Sequence, residues 1–226
     1  MSREWVSLAQ PLFEGMPRAA PHGDVRIWVD EHPTGLRDCA PTVARITHLE
    51  MAAHVGTHVD AANHFVAGGR TIDQYGIDHF SGPGVVLDVR REGVVPLTAA
   101  ELDEARPMVR QGDAVLLWFG YAERFSDPDY VDHPYLTPNA ADWLLERGAR
   151  LVGVDTVTPD MPGGHRPPGF DFPVHMRLLT PDVLIIENLG PSIAQLAGRR
   201  VDIVAAPFPI EGGDASPIAP VARVAD

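Results

Sequence analysis

Residues 114–119 read Ala-Val-Leu-Leu-Trp-Phe, an apolar run with no polar alternation. Similar runs recur at 84–89, 151–155 and 184–187. Strands that are apolar at successive positions are typical of a sheet covered on both faces, so we predict buried β-strands at these four segments. Further strands are predicted at 25–29, 43–50 and 201–208.

Few helices separate these strands. A capping box formed by Thr98 and Glu101 predicts a short helix that ends near Pro107. Three more helices are predicted at 139–147, 174–179 and 192–196. Strand therefore outweighs helix, which indicates an α/β or α+β fold, and the length of 226 residues is typical of one domain over residues 1–226.

Charge and composition argue against several classes of protein. The chain has 18 basic and 31 acidic residues, a net charge of −13, and no basic run, so we expect no nucleic-acid binding. It has no apolar stretch long enough to span a bilayer, and its first residues lack the pattern of a secretory signal. Cys39 is the only cysteine, which excludes an internal disulfide. We expect a cytoplasmic protein without a membrane partner.

Three common catalytic devices are missing from the sequence. All 18 basic residues are arginine, so neither a Schiff-base lysine nor a phosphate-binding loop that ends in Gly-Lys-Ser/Thr is present. No serine lies in a Gly-x-Ser-x-Gly turn. We interpret the lone Cys39 as a small packed or idle residue and not as a nucleophile.

The segment His54-Val-Gly-Thr-His58-Val-Asp60-Ala-Ala-Asn-His64 brings together three imidazoles and a carboxylate just after a predicted strand. Imidazole nitrogen with carboxylate oxygen favours zinc, manganese or iron over calcium. Because Gly56 lies between the first two histidines, we predict a turn there and not a helix. Two histidines and one aspartate leave at least one coordination position for water or for further ligands.

Four residues outside this segment are also candidates for the site. Glu187 ends the apolar strand 184–187, where a carboxylate is costly unless it meets a cation or a metal. Asp155 ends another apolar strand, and we expect it to support a ligand histidine or a loop without binding metal itself. Phe65, beside the motif, and His165, in a Gly- and Pro-rich loop suited to a substrate lid, are candidate substrate contacts.

The same residues carry a family resemblance. The motif at 54–64, Pro-Val-His-Met-Arg-Leu-Leu at 173–179 and Ile-Ile-Glu-Asn-Leu at 185–189 resemble the metal-dependent cyclase family, which includes bacterial kynurenine formamidase and isatin hydrolase. Residues 6–17 and 153–156 are similar as well. The resemblance implies a swivelling β/β/α fold of the α/β class, with a mixed sheet and few flanking helices, and a homodimer or homotetramer.

The resemblance also implies a division of roles. One or two ions of Zn²⁺ or Mn²⁺ would be bound by His54, His58, Asp60, His175 and Glu187. Asp60 would bridge the two ions, and His64 would be a general acid and base instead of a ligand. In this scheme a metal-bound water attacks a carbonyl group and His64 moves the proton.

Three functions are compatible with this site. The one we predict is hydrolysis of a small formamide, cyclic amide or lactone with an aromatic or acyl group, N-formylkynurenine being the family's default substrate. A second keeps the metal but uses it for dehydration, cyclisation or isomerisation in a biosynthetic pathway. The third is a non-catalytic metal-containing binding protein.

Overall fold

A computed structural model describes residues 4–34 and 42–225, so Cys39 lies outside the described residues. These two ranges contain thirteen β-strands and three α-helices. The strands are β1 (Val6–Ser7), β2 (Arg26–Thr34), β3 (Thr42–Glu50), β4 (His58–Asp60), β5 (Ser81–Asp88), β6 (Pro96–Leu97), β7 (Ala114–Trp118), β8 (Tyr135–Leu136), β9 (Leu151–Val154), β10 (Leu184–Glu187), β11 (Arg199–Val204), β12 (Ala215–Pro217) and β13 (Val221–Val224). The helices are α1 (Ala99–Glu104), α2 (Pro138–Glu146) and α3 (Pro173–Leu179).

Nine of the strands form one mixed sheet in the order β1-β13-β11-β5-β7-β9-β10-β4-β12. The central strands β5, β7, β9 and β10 run parallel to one another, whereas the strands on either side of them pair antiparallel. Strands β2 and β3 form a separate antiparallel ribbon, and β6 pairs with β8. The predicted mixed α/β fold with few helices is therefore confirmed.

Side chains of the central strands alternate between two hydrophobic cores. In β7, Val115 and Leu117 enter one core, whereas Ala114 and Leu116 enter the other. Helices α1, α2 and α3 contribute to the first core, and the turn of 3₁₀-helix at Pro191–Leu196 contributes to the second. Both faces of the sheet are covered, as the unbroken apolar runs predict.

All seven predicted strands overlap observed strands, most of them to within one residue at the ends, although the last is shorter than predicted. It ends at Val204 and not at Phe208, because Pro207 has no N–H group to donate to a neighbouring strand. The capping box of Thr98 and Glu101 begins α1 as predicted, and the helix predicted at 192–196 is a 3₁₀-helix. No helix in the described part of the chain is long and apolar enough to cross a membrane.

Six further strands were not predicted, since strands of two to four residues are too short to show a hydrophobic period. One of them corrects the prediction for the histidine motif. The predicted turn is present between His54 and Thr57, but His58 and Asp60 lie in strand β4.

Candidate active site

The candidate site is built at one end of the large sheet, where β4 lies between β10 and β12. Strand β4 pairs antiparallel with β10, so that His58 lies directly opposite Glu187. Side chains two residues apart on a strand project to the same face, and cross-strand partners share a face. Asp60, His58 and Glu187 therefore project together from neighbouring strands.

Hydrogen bonds fix the turn that precedes β4. Gly56 has a φ of +71°, in the left-handed region that favours glycine. The Thr57 hydroxyl donates to the carbonyl of Asn188 over 2.6 Å, and the Asn188 side-chain amide donates back to the carbonyl of Gly56 over 3.1 Å. These contacts hold the backbone that carries His54 and His58.

Asp60 lies at the centre of a cluster of three imidazoles and a second carboxylate. Its Oδ1 is 2.9 Å from His54 Nδ1 and 3.4 Å from His58 Nε2, and its Oδ2 is 3.6 Å from His175 Nε2. Glu187 lies 3.3 Å from His58 Nε2 through Oε2, and 3.3 Å from His175 Nε2 through Oε1. The fold thus brings together all five of the predicted metal ligands.

The buried polar atoms of this cluster fit a metal ion. Among the described residues, neither Asp60 oxygen nor His58 Nε2 has a hydrogen-bond partner, although all three atoms are buried. Leaving such groups unpaired in the interior costs free energy. The separations of 3.3–3.4 Å from His58 Nε2 to Glu187 and Asp60 match the edges of a tetrahedron of ligands, given bonds of about 2.0–2.1 Å. Imidazole and carboxylate donors are typical of a divalent transition metal.

Two of the imidazoles have their other nitrogen fixed by an acceptor. His58 Nδ1 donates to the carbonyl of Gly56 over 2.8 Å, and His175 Nδ1 donates to Asp160 Oδ2 over 2.6 Å. The Asp160 carboxylate is buried and also accepts the backbone N–H groups of Val174 and His175 at the start of α3. With Nδ1 protonated, the lone pair of Nε2 faces the cluster, which is the arrangement that metal-binding histidines use.

The charges of the cluster are strongly coupled. Burial opposes the ionisation of Asp60, but the charge of His58 and the neighbouring imidazoles of His175 and His54 hold its pKa well below its usual range. Burial likewise opposes a charge on His58, yet Asp60 and Glu187 raise its pKa to about 10. The carboxylates therefore favour positive charge at this place, and a divalent cation would supply it in exchange for protons.

His64 packs against the cluster from the short turn that follows β4. Its ring centroid is 4.0 Å from that of His54, and its Nδ1 lies 3.4 Å from Asp214 Oδ2. The same Asp214 oxygen lies 2.9 Å from His54 Nε2. Donor atoms of His54, Asp60 and His64 lie within 4.8 Å of one another, so His64 is also within reach of a metal ion.

A cavity of about 290 Å³ opens over the cluster. Its polar lining includes His54, His64, His175 and Glu187. Phe65 forms an aromatic wall with Phe172, with ring centroids 4.9 Å apart, and lies 4.6 Å from the ring of His175. Phe65 is therefore placed where the sequence analysis expects a substrate contact.

His165 is not placed as predicted. Its side chain is about half exposed, its Nε2 lies 3.1 Å from Asp132 Oδ1, and it does not line the cavity. The next residue, Arg166, lines the cavity instead. The Gly- and Pro-rich loop does reach the site, but the sequence alone does not show which of two adjacent side chains faces inward.

Asp155 organises a loop. Its buried carboxylate accepts hydrogen bonds of 2.7–3.1 Å from four successive backbone N–H groups, at residues 119–122. Asp155 was expected to support either a ligand histidine or a loop, and its described contacts are with the loop. The carboxylate that contacts a candidate ligand histidine is Asp160.

Sequence patterns also fail to indicate Asp160, Asp214 and His22, which lie at the cluster. His22 lines the cavity from the opening segment, with its ring centroid 5.4 Å from that of His54. None of the three has a spacing to the motif that would single it out. Each comes from a different loop, and only the fold brings them to the cluster.

The comparisons with known proteins agree with this architecture. A family model described as "Putative cyclase" matches residues 6–161. This chain belongs to the cyclase family. Kynurenine formamidase from Bacillus cereus is 26% identical in an alignment that covers 97% of each chain. The resemblance inferred from the motifs is thus confirmed.

Solved structures of two relatives share the fold of the cyclase-family chain over nearly its whole length. Isatin hydrolase A from Labrenzia aggregata, bound to benzyl benzoate, is 25% identical with a TM-score of 0.81, and the match covers 99% of this chain and 94% of that one. Isatin hydrolase A from Ralstonia solanacearum is also 25% identical, with a TM-score of 0.80 and coverage of 98% and 92%.

Proposed function

We propose that this protein is a metal-dependent hydrolase that cleaves a small formamide, cyclic amide or lactone. The observation that carries the proposal is the buried carboxylate of Asp60. It meets three imidazoles, while neither of its oxygens forms a hydrogen bond within the described part of the chain. The names of its relatives, kynurenine formamidase and isatin hydrolase, support hydrolysis of a C–N bond next to a carbonyl group.

The candidate ligands divide around Asp60. Its Oδ1 faces His54 and His58, whereas its Oδ2 faces His175, which supports Asp60 as a ligand that both groups of imidazoles would share. Glu187 contacts both His58 and His175 and would complete the set. When bound, Zn²⁺ or Mn²⁺ would acidify water and polarise the carbonyl group of the substrate.

His64 is proposed as the general acid and base. It lines the cavity, and its Nδ1 faces Asp214, which would orient the ring and favour a proton on that nitrogen. The other nitrogen, Nε2, would accept a proton as water adds to the carbonyl carbon. It would then return that proton to the leaving nitrogen or oxygen as the C–N or C–O bond breaks.

The aromatic wall sets the size and character of the substrate. Phe65 and Phe172 would pack against a planar acyl or aryl group and exclude water from the reacting carbonyl. A cavity of about 290 Å³ holds a small molecule and not a peptide chain. A homodimer or homotetramer stays a prediction from the family resemblance.

Elemental analysis of the purified protein, followed by turnover in oxygen-18 water, tests the proposal. The protein is assayed with formanilide, isatin and an aromatic lactone. We expect bound zinc or manganese, and one labelled oxygen atom in the acid formed from at least one substrate. Asp60→Asn should lose both the metal and the activity.

A matched control is Asp30→Asn, which alters an exposed carboxylate beside His48 on the ribbon. It should keep the metal and the activity. Conversion without uptake of labelled oxygen would instead support the non-hydrolytic enzyme. Full metal loading without any turnover would support the binding protein, and absence of metal under every supply would refute the metal-dependent mechanism.

A further inference from the structure

We propose that the substrate carries a carboxylate group beside its planar ring, and that Arg166 binds that carboxylate in the cavity. This inference rests on the proposed hydrolase function, and it narrows the substrate class to aromatic amides or lactones that bear an acid group.

Arg166 presents at the cavity a guanidinium group whose terminal nitrogens have no acidic partner among the residues that the structure describes. Its Nε donates to the carbonyl of Met161 over 2.7 Å, and its Cζ lies 4.5 Å from the ring centroid of Phe172 and 5.2 Å from that of Phe170. Within residues 4–34 and 42–225, no carboxylate forms an ion pair with it. The Met161 contact and the two rings hold the guanidinium in a defined orientation at the cavity.

The second arginine of the cavity differs from Arg166. Arg18 also lines the cavity, but its Nε donates to Asp24 over 3.0 Å, so its charge is already paired. Arg166 is half-buried, and burial of an unpaired charge costs free energy unless a ligand of opposite charge completes it. Of these two arginines, Arg166 therefore carries the positive charge that an anionic ligand would neutralise.

The acids closest to the cavity are committed elsewhere. Glu187 contacts His58 and His175, and Asp160 is held by His175 and by two backbone N–H groups. Since neither of these acids pairs with Arg166, an anion from outside the chain is the fitting partner. A guanidinium matches a carboxylate with two parallel hydrogen bonds, which favours this anion over a neutral polar group.

The backbone at Phe172 supports the same assignment. Phe172 has a φ of 51°, a left-handed conformation that is strained for a bulky residue and that places its ring between Arg166 and Phe65. A planar ring against Phe65 and Phe172 would therefore lie near both His175 of the cluster and the guanidinium of Arg166. An aromatic ring with an amide and a neighbouring carboxylate meets both requirements.

The experiment compares two substrates that differ only in the acid group, ortho-formamidobenzoate and formanilide. The variant Arg166→Met keeps a long apolar side chain but removes the charge. We expect kcat/KM for ortho-formamidobenzoate to fall about 10- to 100-fold, mainly through KM, as for the loss of a charge-assisted hydrogen bond. The value for formanilide should fall far less, because this substrate has no acid group for Arg166 to bind. Arg166→Lys should recover part of the preference, and Arg90→Gln, an exposed arginine outside the cavity, should leave it intact.

The ratio between the two substrates is measured on the same sample, so a smaller fraction of folded variant cancels out. An equal loss for both substrates, or a wild type without preference for the acid, would overturn the inference. If neither substrate is hydrolysed, calorimetry measures whether the cavity binds benzoate more tightly than benzamide. The wild type and Arg166→Met can be compared in this way because the substitution leaves the cluster of candidate metal ligands intact. Tighter binding of benzoate that Arg166→Met abolishes would support the inference although the proposed function fails, and unchanged benzoate binding would refute it.

Discussion

The β2–β3 ribbon and the β4–β10 edge of the large sheet each contain an aspartate and a histidine 2.9 Å apart. On the ribbon these are Asp30 and His48, whose side chains are 49% and 38% exposed. At the sheet edge they are Asp60 and His54, whose side chains are 1% and 10% exposed. The distance is the same, but Asp30 meets one imidazole in contact with solvent, whereas buried Asp60 meets three.

This difference shows that an aspartate–histidine distance does not by itself mark a functional site. Solvent screens the pair on the ribbon, and such surface pairs contribute little. In the interior the same charges interact more strongly, and the buried carboxylates must be neutralised. The sheet edge therefore favours the binding of a cation. Removing matched groups from the two regions tests this conclusion.

The largest effect is expected from Asp60→Asn. The substitution removes the negative charge that contacts all three imidazoles. We therefore expect metal affinity to fall by more than about 100-fold, which exceeds the loss typical for residues that only support a metal ligand. Titration with Zn²⁺, followed by calorimetry, measures the change. Asp30→Asn should leave the metal affinity unaltered. Equal metal binding by the two variants would show that the buried aspartate does not bind the metal.

His64→Gln should come next in size. Loss of a general acid and base lowers kcat by about 10²- to 10⁴-fold, and we expect metal content to stay at the wild-type level. His48→Gln on the ribbon is the control and should change neither quantity. Should His64→Gln lose its metal, His64 would be a ligand, as its distance to His54 and Asp60 also allows.

Asp160→Asn tests the carboxylate that holds His175. Since Asp160 accepts the Nδ1 proton over 2.6 Å, its amide variant should lower metal affinity by about 10- to 100-fold. The exposed pair of Asp132 and His165, 3.1 Å apart, supplies the control variant Asp132→Asn. Competition with a chelator measures both variants, and a normal affinity for Asp160→Asn would place His175 outside the ligand set.

The smallest effect concerns the stability of the ribbon pair itself. Asp30→Asn should change the free energy of unfolding by at most about 1 kcal/mol, because both side chains are solvated. The change should shrink further as salt is added. Urea unfolding at low and high ionic strength provides the measurement, and a larger change that salt does not reduce would show that the ribbon pair is shielded from solvent.

Much of the fold could be predicted because its signals are local. The apolar runs at β5, β7, β9 and β10 identify strands buried on both faces, and the Thr98 capping box identifies the start of α1. The very short strands could not be predicted, since a segment such as β4 takes its conformation from pairing with β10 and β12. Pairing between distant segments leaves no periodic pattern in either of them.

For the site, residue type and local spacing are enough to identify the candidate donors: the 54–64 motif, His175 and the strand-end Glu187. Their chemistry and spacing are readable because they depend on residue type and on a few consecutive residues. The folded structure is needed to show that Asp214, 160 residues beyond His54, lies beside it and that Arg166 faces the cavity in place of His165. Such contacts depend on how the whole chain packs, because loops distant in sequence meet at one sheet end only after the strands between them have paired.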